Sequence, residues 1–411
     1  MQYFHDIRVS QDAPDSSKHA NLRKLDSIAQ SSGFSVPQTL ILDTRKLSCY
    51  RSFINEATTA KGPYGYRVGE GDRIGIRMEL EDVFIGESSF CVRSLSDAEG
   101  DNGSFAGVYH SEVNVPRHLL CQAIDEVLSH SVSSTVAHSL HRGGASKFPG
   151  MAVGLQPYLG GPGWIGGVVQ APFAPLFPRP ASLISVGRSA VGITAGTRVS
   201  EDHLVVASGD GFMTLERTPG EETEEQFLLT QAGIKLLLTT TNKLIDEFRS
   251  SIEIEWAMSP SLDLYILQVR TVSLGPSTTV FGGAVQHEPL CSGFAVGNGR
   301  VVGRAFVTKT YPTVTLDESD ILVAPAVSEG WFEHVEKAGG LITQIGSRNA
   351  HIASVAAEAG TLCAVGCDSG IHSIAHGDLI TLACISREIS RVPLWYWVIL
   401  IGFEVRLKQC P

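Results

Sequence analysis

Charge is scarce in this chain and basic charge scarcer still: 18% of its 411 residues are charged and the formal net charge is −11. A general nucleic-acid binder needs a basic face, so that class is excluded, although a local basic pocket for phosphates is not. Cysteine is thinly spread, at Cys49, Cys91, Cys121, Cys291, Cys363, Cys367, Cys384 and Cys410. Only Cys363 and Cys367 are close, and no second pair answers them, so neither a zinc site nor a disulfide framework is expected; the thiols should be reduced and mostly buried. Long apolar runs are missing too. Val392 to Phe403 is shorter than the roughly 20 residues of a membrane helix, which points to a last core element or docking segment. The N-terminal Met-Gln-Tyr-Phe-His-Asp has no basic region leading into an apolar core, so a cytoplasmic protein is expected. Internal repeats, a Walker-type loop and a G-x-G-x-x-G with a following acidic residue are all absent. What is present, 43% hydrophobic residues over this length, is enough for two or three folded domains.

The most organised stretch is Gly339-Gly340-Leu341-Ile342-Thr343-Gln344-Ile345-Gly346-Ser347-Arg348-Asn349-Ala350-His351 and the segment after it. A glycine-rich loop delivers one histidine to a short helix. Ile352, Val355, Ala356 and Ala359 recur at helical spacing and should face the core. Asn349 suits an N-cap and Gly360 a left-handed C-cap. His351 would then lie in the first turn, where free N–H groups and the helix dipole favour a negative group, and its imidazole could carry a phosphoryl group. A histidine that merely starts a helix would leave the same pattern.

Upstream, Asp15 to Gln30 reads as a helix with Leu22, Leu25, Ile28 and Ala29 on one face, followed by a strand at 39–42. Lys18 stands near the helix start, where it could meet an anion or simply be solvated. Phe90-Cys91-Val92-Arg93-Ser94 is a strand ending in Arg-Ser, and a later return through Ser104 to Ser111 could set a guanidinium and backbone amides against a polyphosphate. Residues 115–141 read as a helix with Leu119, Ile124 and Val127 inward. Met151 to Gln156 and Gly166 to Gln170 read as two strands of a hairpin. An acidic run, Glu221 to Glu225, opens a helix expected to reach Arg249, with Leu228 and Leu229 on its apolar side.

Ile252-Glu253-Ile254-Glu255-Trp256-Ala257, a Ser-Pro turn and Leu264 to Arg270 make a β-hairpin. Alternation places Glu253 and Glu255 on one face, with Gln268 and Arg270 likewise sharing a face on the partner strand. Carboxylates beside an amide oxygen and an arginine suit Mg²⁺ and phosphate, since hard cations take oxygen ligands; an exposed charged face would read the same way. Thr271 to Leu290, rich in Ser, Thr, Gly and Pro, is a linker. Short strands alternating with helices follow.

Together these segments resemble the phosphoenolpyruvate-utilising dikinases, the family of pyruvate phosphate dikinase, phosphoenolpyruvate synthase and rifampicin phosphotransferase. Ser17-Lys18-His19-Ala20-Asn21-Leu22 is similar to the family's G-G-K-x-x-N-L. Val92-Arg93-Ser94 through Ser104-Phe105-Ala106-Gly107 is similar to V-R-S-S…S-F-A-G, and Ala152 to Gln156 to A-V-x-V-Q. Glu253-Ile254-Glu255-Trp256 with Leu267-Gln268-Val269-Arg270 is similar to D-I-E-W…L-Q-x-R. His351, Glu358, Gly360 and Gly366 fall at the offsets of the phosphohistidine motif.

The resemblance implies an α/β chain: an α+β ATP-grasp nucleotide domain over 1–275, a linker at 276–290, a small swivelling phosphohistidine domain over 291–388 and an apolar tail at 389–411. It implies ATP and Mg²⁺ as cofactors. Lys18, Arg93 and Arg270 would meet phosphates; Gly107, Ser111 and Gln156 would line the nucleotide site; Glu255 and Gln268 would hold the metal, with Glu253 in reserve. His351 would pass a phosphoryl group to a small-molecule acceptor, or to one on a partner protein, with AMP released. The same plan fits an ATP-driven condensing or ligating enzyme of secondary metabolism, or a degenerate nucleotide-binding regulatory protein. Departures from the pattern are Ser16-Ser17 for Gly-Gly, Ala350 before the histidine, Thr361-Leu362-Cys363-Ala364 after the helix, and no G-L-G-E stretch near Gly187 to Gly196.

Overall fold

The chain is mixed helix and sheet, and its strands sort by whether their connections are local or long. The structure, a computed structural model, describes residues 3–7, 17–59, 65–96, 109–133, 136–137, 140, 148, 150–173, 181–190, 193, 198, 200–208, 211–220, 226–272, 290–291, 293–297, 300–327, 329–346, 350–367, 369–385 and 398–399. Two units are formed, Met1–Gly166 with Leu236–Ser273, and Gly167–Lys235 with Leu274–Pro411. Residues 167–235, which the resemblance places in the N-terminal domain, are grouped in the same unit as Leu274–Pro411.

In the first unit, β1 (Phe4–Asp6), β2 (Leu40–Leu42), β3 (Ser89–Ser96), β4 (Glu112–Pro116) and β5 (Met151–Pro157) form a five-stranded antiparallel sheet in the order β1-β2-β5-β3-β4. Helix α1 (Ser17–Ala29) buries Leu22, Leu25 and Ile28, the stripe its spacing predicts. Helices α2 (Tyr50–Thr59) and α3 (Glu70–Val83) follow, and α4 (Leu120–His130) packs on β3 and β4 through Ile124 and Val127. The helix expected over 115–141 begins later, because Val115 and Pro116 belong to β4, paired with Phe90 and Ser89. Leu119, expected inward, precedes the helix and is 40% exposed.

The expected hairpin of 151–156 with 166–170 does not form. β5 is flanked by β2 on one edge and β3 on the other, and a strand has only two edges. The next strand, β6 (Ile165–Phe173), spans the division between the units. In the second unit β7 (Ala181–Gly187), β8 (Glu201–Ser208) and β9 (Gly211–Thr218) make an antiparallel meander. Helix α5 starts at Gln231, not in the acidic run, whose residues lie outside those described, and ends at Phe248. The N–H groups of Leu228 and Leu229 donate instead to buried Glu201, at 2.6 and 3.1 Å, and the Thr230 hydroxyl accepts from Gly233 N–H at 3.2 Å as a cap. Back in the first unit, β10 (Ile252–Met258) and β11 (Leu264–Thr271) form the expected antiparallel hairpin.

The remainder of the second unit is a seven-stranded sheet built of β12 (Phe294–Val296), β13 (Arg300–Val307), β14 (Asp320–Ala324), β15 (Gly340–Thr343), β16 (Leu362–Val365), β17 (Leu379–Ile385) and β18 (Val398–Ile399). Their order is β12-β16-β15-β14-β13-β17-β18, with β13 to β16 parallel. Helix α6 (Phe332–Lys337) links β14 to β15 and α7 (His351–Ala359) links β15 to β16. Buried on both faces, β14, β15 and β16 are continuous apolar runs, and their Ile321, Val323, Ile342 and Ala364 make one core with Ile380 and Leu382 of β17. Among the described residues no helix is long and apolar enough to cross a membrane.

Candidate functional site

The β10–β11 hairpin sets its polar residues in facing pairs, Glu253 opposite Arg270 and Glu255 opposite Gln268. A bulge follows: Trp256 pairs with Ile266, so Leu267 has no residue opposite. That shift keeps Trp256 and Ile266 buried, at 0% and 1% exposure, while Glu255 and Gln268 stay half-buried on the other face.

β3 brings the third element. Its Phe90, Val92 and Ser94 are buried on one face, and Cys91 and Arg93 project from the other. Opposite Arg93 is Gly154, where a side chain would press Leu95 Cδ1 at 3.2 Å. The Arg93 guanidinium reaches the hairpin: Nη1 donates to Glu255 Oε2 at 3.3 Å and to Gln268 Oε1 at 3.0 Å. Beside it, Arg270 holds Glu253 in a two-pronged pair, Nε to Oε1 at 2.6 Å and Nη2 to Oε2 at 2.9 Å. Arg93, Glu255, Gln268, Arg270 and Glu253 are thus gathered from segments more than 150 positions apart.

Helix α1 is tied to the same hairpin. Asn21 Nδ2 donates to the Val269 carbonyl at 3.1 Å, and Lys18, three positions earlier, lies on the same side of the helix. Asn21 was in the motif but not among the expected site residues; its i+3 spacing from Lys18 is the signal that could have found it. Ser111 is exposed, and its Oγ accepts from the Ser94 N–H at 3.4 Å, one residue from Arg93. Gln156 sits on the Arg93 face of the sheet by register, but it is 1% exposed and its Nε2 donates to Thr39 Oγ1 at 2.8 Å. In this arrangement it braces β5 against the strand before it, so a nucleotide contact needs Gln156 uncovered. Gly107 lies outside the described residues. Burial pushes the neighbouring Cys91 thiol up, against the pull of Arg93, so Cys91 remains a thiol near neutral pH and is no nucleophile.

The histidine is positioned by different means. His351 is the first residue of α7, which follows the carboxyl end of the parallel strand β15, where open α/β sheets present their ligand sites. Asn349, the expected cap, lies outside the described residues. Ile352, Val355 and Ala356 are buried as the spacing predicts; Ala359, at the last helical position, is exposed, and Ala353 takes its place in the core. Gly360 ends the helix at φ +74°, as expected of a left-handed cap. The loops leaving β15 and β16 are pressed together: Gly346 and Gly366 have φ of +146° and +64°, and a Cβ on Gly366 would lie 2.9 Å from the Gly346 carbonyl oxygen. At the same strand end Gln344 Nε2 and His372 Nε2 are 3.2 Å apart, a contact with no sequence signal because 28 residues separate them.

Among the described residues no three His, Cys, Asp or Glu side chains converge as a metal cluster. The oxygens that do converge are one carboxylate and one amide, Glu255 and Gln268, and they meet on a cationic atom, Arg93 Nη1. All-oxygen donors aimed at one positive centre fit a hard divalent cation.

Residues 316–387 match the model of the PEP-utilising enzyme mobile domain. The phosphoenolpyruvate synthase of Deinococcus radiodurans is 25% identical over 195 residues, 46% of this chain and 25% of that protein. That of Aquifex aeolicus is 27% identical over 208 residues, 46% of this chain and 24% of that protein. The Escherichia coli enzyme is 24% identical over 180 residues, 42% of this chain and 22% of that protein. The matches thus span about a quarter of these relatives' length. Among solved structures, D-alanyl-alanine synthetase A from Vibrio cholerae aligns over 62% of this chain and 55% of its own at 11% identity, with a TM-score of 0.28, too low to bear on the fold. The chain is thus similar to the PEP-utilising enzymes, over residues 316–387 to their mobile domain, in keeping with the motifs quoted above.

Proposed function

We propose that this chain is an ATP-dependent phosphotransferase of the dikinase type, in which His351 takes a phosphoryl group from ATP and hands it to an acceptor while AMP is released. The observation that carries the reading is the convergence of Arg93 on Glu255 and Gln268. An exposed charged hairpin has no reason to draw an arginine from a strand in another part of the sequence; a phosphate site does. On this reading 1–275 is an ATP-grasp nucleotide domain, 276–290 a linker and 291–388 a swivelling domain that carries the histidine.

Lys18, Arg93 and Arg270 are cations for the polyphosphate, and each offsets charge that would otherwise repel a nucleophile. Glu255 and Gln268 would hold Mg²⁺, with Glu253 close by. When bound, Mg²⁺ supplies further neutralisation of phosphate charge. His351 is the nucleophile. A neutral ring nitrogen attacks the β-phosphorus, the bond to the α–β bridging oxygen breaks, and that oxygen leaves with the electron pair as part of AMP; the ring gives up its other proton as the N–P bond forms. Water then cleaves the β–γ bond, releasing the γ-phosphoryl group as phosphate and leaving one phosphoryl group on the ring. The start of α7, with its free N–H groups, favours the charge acquired. The relatives' name makes a phosphoenolpyruvate-forming acceptor reaction the first to try.

The test is incubation with Mg²⁺ and ATP labelled at the β-phosphate, followed by peptide mapping under conditions that preserve phosphohistidine. Label on the His351 peptide, and its absence in H351A, is the expected result. An unlabelled His351 peptide would sink the proposal. A screen for acceptor-dependent AMP release separates a kinase from a ligase by whether a joined product appears, and binding of ATP with no AMP release supports a regulatory protein instead.

A further inference from the structure

The position between Glu255 and Gln268 is filled by a side chain. Arg93 Nη1 holds both oxygens at 3.3 and 3.0 Å, within a pair whose side chains are only 15% and 18% exposed, so water screens the contact weakly. The other edge of the same guanidinium is unsatisfied. Arg93 Nε is buried and has no hydrogen-bond partner among the described residues, a state that costs free energy in any buried donor. Arg93 thus has one end on the two oxygens and another that lacks an acceptor. Arg270 cannot play this part, because its Nε and Nη2 are both engaged by Glu253, at 2.6 and 2.9 Å.

We propose that Arg93 is a built-in stand-in for the site's cation. While nucleotide is absent it keeps Glu255 and Gln268 together and blocks free divalent metal. A polyphosphate offers its buried Nε the missing acceptor, draws the guanidinium away, and so opens the two oxygens to metal. Metal and polyphosphate then bind together, each tightening the other. This deepens the reading above and rests on its assignment of Glu255 and Gln268 as metal ligands.

The experiment is titration of the full chain with Mn²⁺ alone, followed by electron paramagnetic resonance, for the wild type, Arg93→Gln and Arg93→Lys. Lysine keeps the charge, but its nitrogen ends one bond short of the position that Nη1 occupies. Arg93→Gln should bind Mn²⁺ roughly tenfold more tightly than wild type or better, the ordinary size of a coupling between sites, and Arg93→Lys should recover most of that gain. If Arg93→Lys binds as weakly as wild type, the effect is the field of a charge and the stand-in role is overturned; the same follows if neither variant gains. Adding Glu255→Gln to Arg93→Gln should abolish the gained binding, and a gain that survives it places the metal elsewhere and overturns the inference. Titrations repeated with ATP separate the two levels. Co-binding of Mn²⁺ and ATP without any gain in the variants sinks only the stand-in role, whereas no Mn²⁺ binding with or without ATP sinks the metal assignment as well.

Discussion

The hairpin site and the histidine helix are opposite solutions to placing a reactive group. The first is assembled from a distance: β3, β10, β11 and α1 each contribute one or two side chains, and charge is paired within the site, Arg93 with Glu255 and Arg270 with Glu253. The second is contiguous, a strand, a glycine-bearing loop and the first residue of a helix within one dozen positions of sequence. One site depends on side-chain partners and the other on backbone geometry. Damage to the two should therefore register differently, in ligand binding for the hairpin and in local folding for the loop.

The largest expected effect is at the proposed nucleophile. His351→Ala should cut β-phosphate transfer by roughly a thousandfold or more, while the melting temperature stays near wild type because the helix start tolerates alanine; quantitative labelling and a thermal melt check both. If transfer persists, the division of labour between the two sites is wrong. Next is Glu255→Gln, which removes one side of the Arg93 contact. Metal-dependent ATP binding should weaken by roughly tenfold to a hundredfold, measured by calorimetry, with labelling of His351 falling in step at subsaturating ATP.

Gly366→Ala sharpens the contrast from the other side. At φ +64°, with a new Cβ 2.9 Å from the Gly346 carbonyl oxygen, it should cost roughly 1–3 kcal/mol of local stability in chemical denaturation and leave Mn²⁺ binding at the hairpin unchanged. Glu253→Gln leaves Arg270 without its carboxylate in a largely buried pair. We expect a loss of about 1–3 kcal/mol with a smaller change in metal affinity than Glu255→Gln; an equal change would promote Glu253 to a ligand.

The smallest effect is on acid stability, and here the units behave alike. Burial, with His110 nearby, holds His130 down to about 4 from 6.5, and burial lowers His334 as well. Above pH 6.5 the imidazoles are neutral in folded and unfolded chains alike. As the pH falls toward 4 the unfolded chain takes up protons that the folded chain refuses, so stability is lost across that window. Allowing for its partial exposure, His130 contributes at most about 2 kcal/mol. Denaturant midpoints from pH 7 to 4 should fall, and His130→Asn should flatten the slope.

How much was legible beforehand follows from the range of each interaction. The stripe Leu22, Leu25, Ile28, the sharing of a face by Glu253 and Glu255 and by Gln268 and Arg270, and the placing of His351 at a helix start closed by Gly360 are set by periods of 3.6 and 2 and by one positive φ, all of which are written locally. The misreadings share a cause. Val115 and Pro116 became strand because Phe90 and Ser89 offered an edge; β5 refused a hairpin with β6 because β2 and β3 held both of its edges; α5 started late because Glu201 claimed the N–H groups of Leu228 and Leu229. Each is a choice among partners far away in sequence, and local pattern is silent on it.

The same line divides the site. By itself the sequence determined which residues could carry phosphate chemistry and how each sits on its own strand or helix, because backbone periodicity decides that within a few residues. Only the tertiary structure decided that Arg93 meets Glu255 and Gln268, that Asn21 fastens α1 to β11, and that Gln156 is covered by Thr39. Those contacts exist because sheet register and helix docking bring distant segments within hydrogen-bond reach, and nothing in the spacing of residues along a chain specifies that distance.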